Sequence, residues 1–348
     1  MAMADVTVMG AGIFGVSVAY ACARRGAKVQ VIETRCLAAG ASGGIVGALA
    51  PHVPENWNPK KQFQLESLLM QPAFWARVKE ESNVATGYAR LGRLQPLADD
   101  RAVALARQRE GTAAELWGDA AEWRVIDAAE AGDWRPDSPT GLYVWDTLTA
   151  RAAPRAACAS LWWAANKAYK AQLSYDPMPQ RGKVVWATGY EGLAELGLAL
   201  GRNVGTGVKG QAVEFRLDAA DRPQVFADGL HIVPHYDGTV AIGSTSERDF
   251  DDPETTDDQC DALIEKACAV FPPLRDAPET RRWAGVRPRA RSRAPMLGAW
   301  PDRDGHFVAN GGFKIGFGMA PKVGEVMADL VLEGRDGIPD GFRVEDSL

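Results

Sequence analysis

A chain of 348 residues is longer than one hydrophobic core usually supports, so its length predicts two domains. Its formal net charge of −6 argues against a general nucleic-acid binder, and no apolar run is long enough to cross a bilayer. The apolar segment near the N-terminus follows no basic region and is broken by glycines, so it is typical of a folded domain rather than a signal peptide. We therefore expect a cytoplasmic protein.

The first predicted elements form a strand, a turn, a helix and a second strand. Residues 5–9 (DVTVM) predict a buried strand, a helical apolar pattern follows, and residues 28–33 (KVQVIE) predict a second strand that ends in Glu33. Between strand and helix, residues 10–15 (GAGIFG) match the pattern G-x-G-x-x-G. In this context the glycines let a pyrophosphate approach the backbone at the helix N-terminus, and the carboxylate can accept hydrogen bonds from a ribose. The unit predicts a dinucleotide-binding site.

The next segment, residues 35–52 (RCLAAGASGGIVGALAPH), is rich in small residues. Small residues allow the backbone to lie against a flat, extended ligand. The apolar residues Ile45, Val46 and Leu49 argue against the alternative of a flexible linker.

The middle of the chain predicts strands. Residues 211–217 (QAVEFRL), 230–236 (LHIVPHY) and 239–245 (TVAIGST) read as strands, and Asp237 and Gly238 predict a hairpin turn between the last two.

Helices are predicted on either side of these strands. Residues 60–130 predict a helix-rich segment, and a further helix is expected to open at Thr256, with Gln259 completing a capping box. Residues 323–331 predict the apolar face of a helix that follows a glycine-rich loop.

Six segments, in this order along the chain, resemble the D-amino-acid oxidase-like family of FAD-dependent enzymes, which includes glycine oxidase, sarcosine oxidase and D-amino-acid dehydrogenase. They are GAGIFGVSVAY (10–20), GASGG (40–44), VVWATG (184–189), HIVPHYDGTVAIGST (231–245), WAGVRPRARSRAPMLG (283–298) and NGGFKIGFGMAPKVGEVMADL (310–330).

The resemblance implies an α/β fold, α+β overall, with a Rossmann-like FAD-binding domain interleaved with a substrate domain built on a mixed or antiparallel sheet. The local patterns agree with this division. We expect a discontinuous FAD-binding domain of residues 1–50, 145–205 and 285–348, and a substrate domain of residues 51–144 and 206–284.

The resemblance also implies FAD as the cofactor. Some sarcosine oxidase relatives attach FAD through a cysteine near GVRP, and because no cysteine stands there in this chain we expect non-covalent binding. The C-terminal loop and helix are expected to face the flavin, where a helix N-terminus stabilises the charge of the reduced ring. The expected FAD contacts are Gly10, Gly12, Ile13, Phe14, Gly15, Glu33, Thr34, Arg35, Ala41, Ser42, Gly43, Gly44, Gly47, Ala48, Leu49, Ala187, Thr188, Gly189, Arg287, Gly311, Gly312, Phe313, Lys314 and Ile315.

Three residues are candidates for the reaction itself. Arg287 matches the arginine that holds the substrate carboxylate in glycine oxidase-like proteins, and a guanidinium suits a carboxylate bidentately. Lys314 matches a lysine that sarcosine oxidase-like proteins use near the substrate and flavin, the alternative being a solvated lysine. His231 is either a pocket residue or an ordinary strand histidine. It shares a strand face with His235, but no further ligands stand nearby, so no metal site is expected.

Four arginines alternate at positions 287, 289, 291 and 293, and in an extended segment they would face the same side. One carboxylate does not need four arginines. Either the later ones form a solvated edge, or the substrate carries additional negative charge.

The resemblance therefore implies an FAD-dependent oxidoreductase that oxidises the C–N bond of an amino acid or N-substituted glycine, with hydride transfer to flavin N5 and with oxygen or a quinone as acceptor. One alternative is a tRNA-modifying oxidase that acts on carboxymethylaminomethyl-uridine, against which the acidic composition argues. The other is a non-catalytic FAD-binding assembly factor.

Overall fold

The computed structural model describes residues 4–348. Within that range the strands are β1 (Val6–Met9), β2 (Val29–Ile32), β3 (Ala48–Leu49), β4 (Arg93–Pro96), β5 (Trp123–Asp127), β6 (Leu142–Asp146), β7 (Ala150–Arg151), β8 (Gln172–Ser174), β9 (Lys183–Trp186), β10 (Gly205–Arg216), β11 (Gln224–Ala227), β12 (Leu230–Pro234), β13 (Thr239–Gly243), β14 (Glu279–Ala290), β15 (Met296–Ala299) and β16 (His306–Asn310).

The α-helices of the same range are α1 (Ile13–Arg24), α2 (Pro59–Ser82), α3 (Asp100–Trp117), α4 (Ala128–Ala131), α5 (Pro154–Tyr169), α6 (Gly189–Leu200), α7 (Asp258–Val270) and α8 (Gly316–Ala328). None of these helices is long and apolar enough to span a bilayer. The cytoplasmic location stays a prediction.

A six-stranded sheet carries the N-terminal unit. Its order is β15-β16-β9-β1-β2-β8, and β1 pairs in parallel with both β2 and β9. Helix α1 packs between this sheet and helices α5 and α8, so it is buried from Ile13 to Ala23, as expected of a helix that is apolar on all sides. The predicted strand–turn–helix–strand unit is confirmed, with strand ends within one residue of those expected.

An eight-stranded mixed sheet forms the second layer. Its order is β14-β10-β13-β12-β11-β4-β6-β5. The three predicted strands are present as β10, β12 and β13, and β10 begins six residues earlier than the sequence indicated. The turn between β12 and β13 contains Asp237 and Gly238, and the glycine has a φ of 77°, a conformation that side chains disfavour. The predicted fold class, α/β and α+β overall with a Rossmann-like unit beside a mixed sheet, is confirmed, and the six-stranded sheet is parallel except at its edge, where β15 pairs antiparallel with β16.

One local prediction is wrong, and the structure adds detail to two others. The capping box at Thr256 is wrong, because α7 is capped by Asp257, whose carboxylate accepts a hydrogen bond from the backbone N–H of Gln259 at 3.0 Å. Residues 60–130 contain helices α2 and α3, but also strands β4 and β5. The four arginines do not form one extended ladder, because β14 ends at Ala290 and the chain turns at Arg293, which has a φ of 63°.

The division into two domains stays a prediction. Two of its expected boundaries, after residues 144 and 284, fall inside β6 and β14. Both strands belong to the eight-stranded sheet over their whole length. A domain boundary inside either strand would divide that sheet, whereas a boundary at the end of the strand would not.

Candidate functional site

A cavity of about 610 Å³ runs between the two sheets. Its walls come from the turn after β1, the segment from residue 40 to 48, the turn after β9, strands β13 and β14, and the loop before α8. A volume of this size lies in the range of small-molecule and cofactor pockets.

The glycines of the first turn are required by close packing. A Cβ on Gly10 would lie 2.5 Å from the backbone oxygen of Ala187, and Gly10 has a φ of 98°. A Cβ on Gly15 would lie 2.0 Å from the oxygen of Gly10, so this glycine fixes the helix on the turn and does not line the cavity. Gly12 lines the cavity at the N-terminus of α1 and caps that helix without a side chain. The positive end of the helix dipole therefore faces the cavity.

The acidic residue at the end of β2 holds the same turn. Glu33 Oε2 accepts a hydrogen bond from the backbone N–H of Ala11 at 2.9 Å, and Oε1 accepts one from that of Arg35 at 3.0 Å. Each carboxylate oxygen has a further lone pair. Glu33 can therefore accept hydrogen bonds from ribose hydroxyls while it keeps the turn in place.

The small residues from 40 to 48 serve both the ligand space and the fold. Ala41, Ser42 and Gly44 line the cavity, and Ser42 Oγ accepts a hydrogen bond from the backbone N–H of Ile13 at 2.9 Å. Gly43 does not line the cavity and serves the fold, because a Cβ there would lie 2.5 Å from the backbone oxygen of Ala38.

The expected FAD contacts divide into two groups. Five lie outside the main cavity: Gly15, Gly43, Leu49, Gly311 and Ile315. The other nineteen line it: Gly10, Gly12, Ile13, Phe14, Glu33, Thr34, Arg35, Ala41, Ser42, Gly44, Gly47, Ala48, Ala187, Thr188, Gly189, Arg287, Gly312, Phe313 and Lys314. Their role as FAD contacts stays a prediction.

Arg287 is a buried cation at the inner part of the cavity. Its Nη2 donates to Ser244 Oγ at 2.7 Å and its Nη1 to the backbone oxygen of Thr245 at 3.4 Å. Among residues 4–348, no carboxylate lies within 4.0 Å of it. Burial lowers the pKa of the guanidinium to about 10, partly opposed by the more distant carboxylate of Glu247, so it stays charged at neutral pH. A buried charge without a direct ion-pair partner is costly, and such a group is suited to bind an anion.

Lys314 is a second cation in the cavity wall. Its Nζ lies 5.9 Å from the ring centre of Phe313, and no carboxylate of the described residues lies within 4.0 Å of it. Burial, together with the neighbouring guanidinium groups of Arg287 and Arg289, holds the pKa of Lys314 below its usual range. An anion bound here would relieve this repulsion. Of the later arginines of the series, Arg291 and Arg293 are exposed and do not line this cavity.

His231 lies at the inner end of the main cavity. Its ring centre is 4.7 Å from that of Phe226, and its Nδ1 is buried without a hydrogen-bond partner in the described part of the chain. Burial and the nearby cations Arg93 and Lys314 lower the pKa of His231 to about 3, so the imidazole is neutral. His235 differs, because its Nε2 lies 2.9 Å from the backbone oxygen of Ile45 and serves the packing of that segment.

A second cavity of about 200 Å³ adjoins the main one, and we call it the side chamber. It shares Ala48, Phe226, His231 and Lys314 with the main cavity. Among its other lining residues are His52, Gln64, Arg93, Leu49 and Ile315.

Sequence reasoning missed several residues of the site. Phe226, Ser244, Trp283 and Arg93 line the two cavities, and Gly210 gives the Arg287 guanidinium its space. Ser244 and Trp283 belong to segments that carry the family resemblance, but nothing in those segments indicated the hydrogen bond of Ser244 or the place of Trp283 in the cavity wall. The others depend on strand pairing, for which the sequence carried no local signal.

The cavity fits an elongated ligand with anionic groups. The N-termini of α1 and α8 both face it without side-chain caps, and its glycines leave space that any side chain would fill. These are the features that a dinucleotide pyrophosphate and a redox ring with developing negative charge require.

Comparison with known proteins agrees with this fit. Residues 5–330 match the sequence model of a family described as FAD dependent oxidoreductase. Glycine oxidase of Geobacillus kaustophilus (strain HTA426) is 27% identical over 357 aligned positions, which cover 94% of this chain and 92% of that protein.

Two crystal structures share the fold. Glycine oxidase from Geobacillus kaustophilus superposes with a TM-score of 0.85 at 23% identity, covering 98% of each chain. Iminodiacetate oxidase from Chelativorans sp. BNC1 superposes with a TM-score of 0.84 at 24% identity, covering 97% of this chain and 98% of that one.

Proposed function

Because this chain belongs to the FAD-dependent oxidoreductase family, we propose that it oxidises the C–N bond of an amine that also carries a carboxylate, such as an amino acid or an N-substituted glycine. The observation that carries the proposal is Arg287, a buried guanidinium that faces the cavity without a carboxylate partner among residues 4–348. The names of two similar proteins, glycine oxidase and iminodiacetate oxidase, point to the same class of substrate.

The residues present would hold FAD in the main cavity. The N-terminus of α1 would bind the pyrophosphate, Glu33 would accept from the ribose, and the N-terminus of α8 would face the ring. When bound, the isoalloxazine ring would supply an acceptor for two electrons and a proton, taken together as a hydride at N5. No cysteine of the described residues lines the main cavity, which favours non-covalent binding.

Arg287 would bind and orient the substrate. Its guanidinium can form two parallel hydrogen bonds to a carboxylate, and Ser244 Oγ fixes the direction of the fork at 2.7 Å. A carboxylate held in this way leaves the adjacent carbon and nitrogen little rotational freedom, which favours one reactive geometry.

The charges around the cavity would also favour the reactive form of the amine. Only a neutral amine has a lone pair to assist hydride loss, and the cations Arg287 and Lys314 disfavour a protonated amine beside them. His231 is neutral, and its Nδ1 has no hydrogen-bond partner in the described part of the chain. This nitrogen can therefore form a hydrogen bond with the substrate.

Anaerobic mixing of the purified holoprotein with glycine, N-substituted glycines and D- and L-amino acids tests the proposal. We expect at least one carboxylate-bearing amine to bleach the flavin. The matching amine, in which a neutral group replaces the carboxylate, should leave the flavin absorbance unchanged. Recovery of colour in air identifies oxygen as the acceptor, and recovery only with an added quinone identifies a dehydrogenase. An FAD-loaded protein that no amine bleaches would contradict the proposal and favour the non-catalytic assembly factor; strong, salt-dependent tRNA binding would favour the tRNA-modifying oxidase.

A further inference from the structure

We propose that the side chamber binds a second anionic group of the substrate, so that the preferred substrates are amines with two carboxylates. The inference rests on the proposed function, in which Arg287 holds the first carboxylate. The inference places the second carboxylate in the space beside Lys314 and Arg93.

One ligand can reach both cavities. The side chamber shares Ala48, Phe226, His231 and Lys314 with the main cavity, so the two spaces meet along these residues. Arg287 lines only the main cavity and Arg93 only the side chamber. A substrate whose first carboxylate is bound to Arg287 can therefore extend an arm past His231 towards the cations Lys314 and Arg93.

The side chamber has no acidic residue among its described lining residues. Arg93 is 5% exposed, and its Nε donates to Asp146 Oδ2 at 2.9 Å. This is the only hydrogen bond that the Arg93 guanidinium makes within residues 4–348, so its Nη groups remain able to donate. Asp146 offsets the charge of Arg93, but no carboxylate offsets that of Lys314. The lining is therefore positive overall, with free donors.

A single carboxylate held by Arg287 leaves the donors of Lys314 and Arg93 without a bound acceptor. The Arg287 guanidinium is fixed by Ser244 and lies against Gly210, so it does not enter the side chamber. Lys314 is exposed at the wall that the two cavities share and has no carboxylate within 4.0 Å among residues 4–348, and the Nη groups of Arg93 have no acceptor there, so a bound anion would pair with both. His52 and His231 add no charge of their own, because burial holds the pKa of both imidazoles below the usual range. A carboxymethyl arm supplies an acceptor of the required charge and size.

Two ligands that contain no amine separate binding from turnover. Oxydiacetate and methoxyacetate share an ether backbone and one carboxylate, and only oxydiacetate has the second. By calorimetric titration of the holoprotein, we expect oxydiacetate to bind about tenfold more tightly or better, as one charge-assisted contact allows.

Two lysine variants assign this difference to the side chamber. Lys314→Met is expected to bring the two affinities within about threefold of each other, while Lys314→Arg retains part of the preference. Lys79→Met is the matched control, because it removes one exposed positive charge that lines neither cavity. FAD content and thermal unfolding verify that each variant is folded.

Equal affinities for the two ligands in the wild type would overturn the inference. So would an equal loss of both affinities in Lys314→Met, because that result places Lys314 on the first carboxylate.

Anaerobic flavin reduction separates this inference from the proposed function. N-(carboxymethyl)glycine and N-(carbamoylmethyl)glycine differ only in the charge of the second arm. If both reduce the flavin equally well, the inference fails and the proposed function stands. If no amine reduces the flavin but oxydiacetate still binds preferentially, the proposed function fails and the anion site stands.

Discussion

The guanidinium of Arg287 occupies the space that a side chain at Gly210 would need: a Cβ at position 210 would lie 1.9 Å from Arg287 Nη1. The two residues lie on the paired strands β10 and β14, where Gly210 pairs with Gly285 and Arg287 with Val208. The glycine thus allows a buried arginine to extend along the sheet and reach Ser244.

This contact predicts that Gly210→Ala weakens substrate binding without removing FAD. The added methyl group must displace the guanidinium, so we expect KM for a carboxylate-bearing amine to rise roughly 10- to 100-fold, since small displacements of a positioning group have effects of this size. Steady-state kinetics measure this. Gly111→Ala is the control, because a Cβ there meets no atom within 4 Å. An unchanged KM in Gly210→Ala would contradict the role given to Arg287.

Removal of the guanidinium itself is expected to have a larger effect. Arg287→Met should lower kcat/KM by an amount that corresponds to a loss of about 2–5 kcal/mol in transition-state stabilisation. This is the usual result of removing one partner of a buried charge pair. Arg291→Met is the matched control, because Arg291 is exposed and lines neither the main cavity nor the side chamber. Comparable losses in the two variants would show that the whole arginine series, and not one buried member, acts on the substrate.

The pKa of His231 predicts a dependence of stability on pH. Folding lowers this pKa from 6.5 to about 3, so in that interval the unfolded chain binds more protons than the folded one. The free energy of unfolding therefore decreases as pH falls below 6.5, and the contribution does not change above it. His231→Phe removes the titrating group. Denaturant unfolding at several pH values should show that the stability of the variant, relative to the wild type, increases as the medium becomes more acidic; a constant difference would count against a buried neutral imidazole.

The turn at the N-terminus of α1 predicts which substitutions reduce FAD binding. A Cβ on Gly12 would lie 3.2 Å from Ser42 Oγ, on the wall of the main cavity. Gly12→Ala is therefore expected to fold but to retain less FAD, and Gly12→Val to retain less still, since the larger side chain occupies the space of the pyrophosphate. The ratio of flavin to protein absorbance measures the effect. Full retention of FAD in Gly12→Val would contradict the placement of the cofactor.

Local sequence patterns were enough to predict the nucleotide-binding unit. The period of the apolar residues and the glycine spacing determine β1, α1 and β2 within a short stretch of chain, and the turn after β12 contains the predicted glycine. Predictions at element ends were weaker. Asp257 caps α7 in place of the neighbouring Thr256 because both side chains can cap a helix, and sequence alone does not choose between adjacent candidates.

The inner part of the site required the tertiary structure. Resemblance to a family pointed to Arg287, Lys314 and His231, but not to the residues that give them their environment. Gly210 matters only because β10 pairs with β14 in one register, and Arg93 reaches the side chamber only because β4 joins the same sheet as β12. Such contacts join residues far apart in the chain, where no periodicity or motif connects them.

The central claim is that a resident FAD accepts electrons from an amine whose carboxylate is held by Arg287. Single-turnover flavin reduction under anaerobic conditions, with a reactive N-substituted glycine and its carboxamide, tests this claim most directly. The account predicts rapid bleaching by the carboxylate, slow or no bleaching by the amide, and loss of this discrimination in Arg287→Met. Equal bleaching by acid and amide in the wild type, or an isolated protein that is colourless and does not take up FAD, would contradict it.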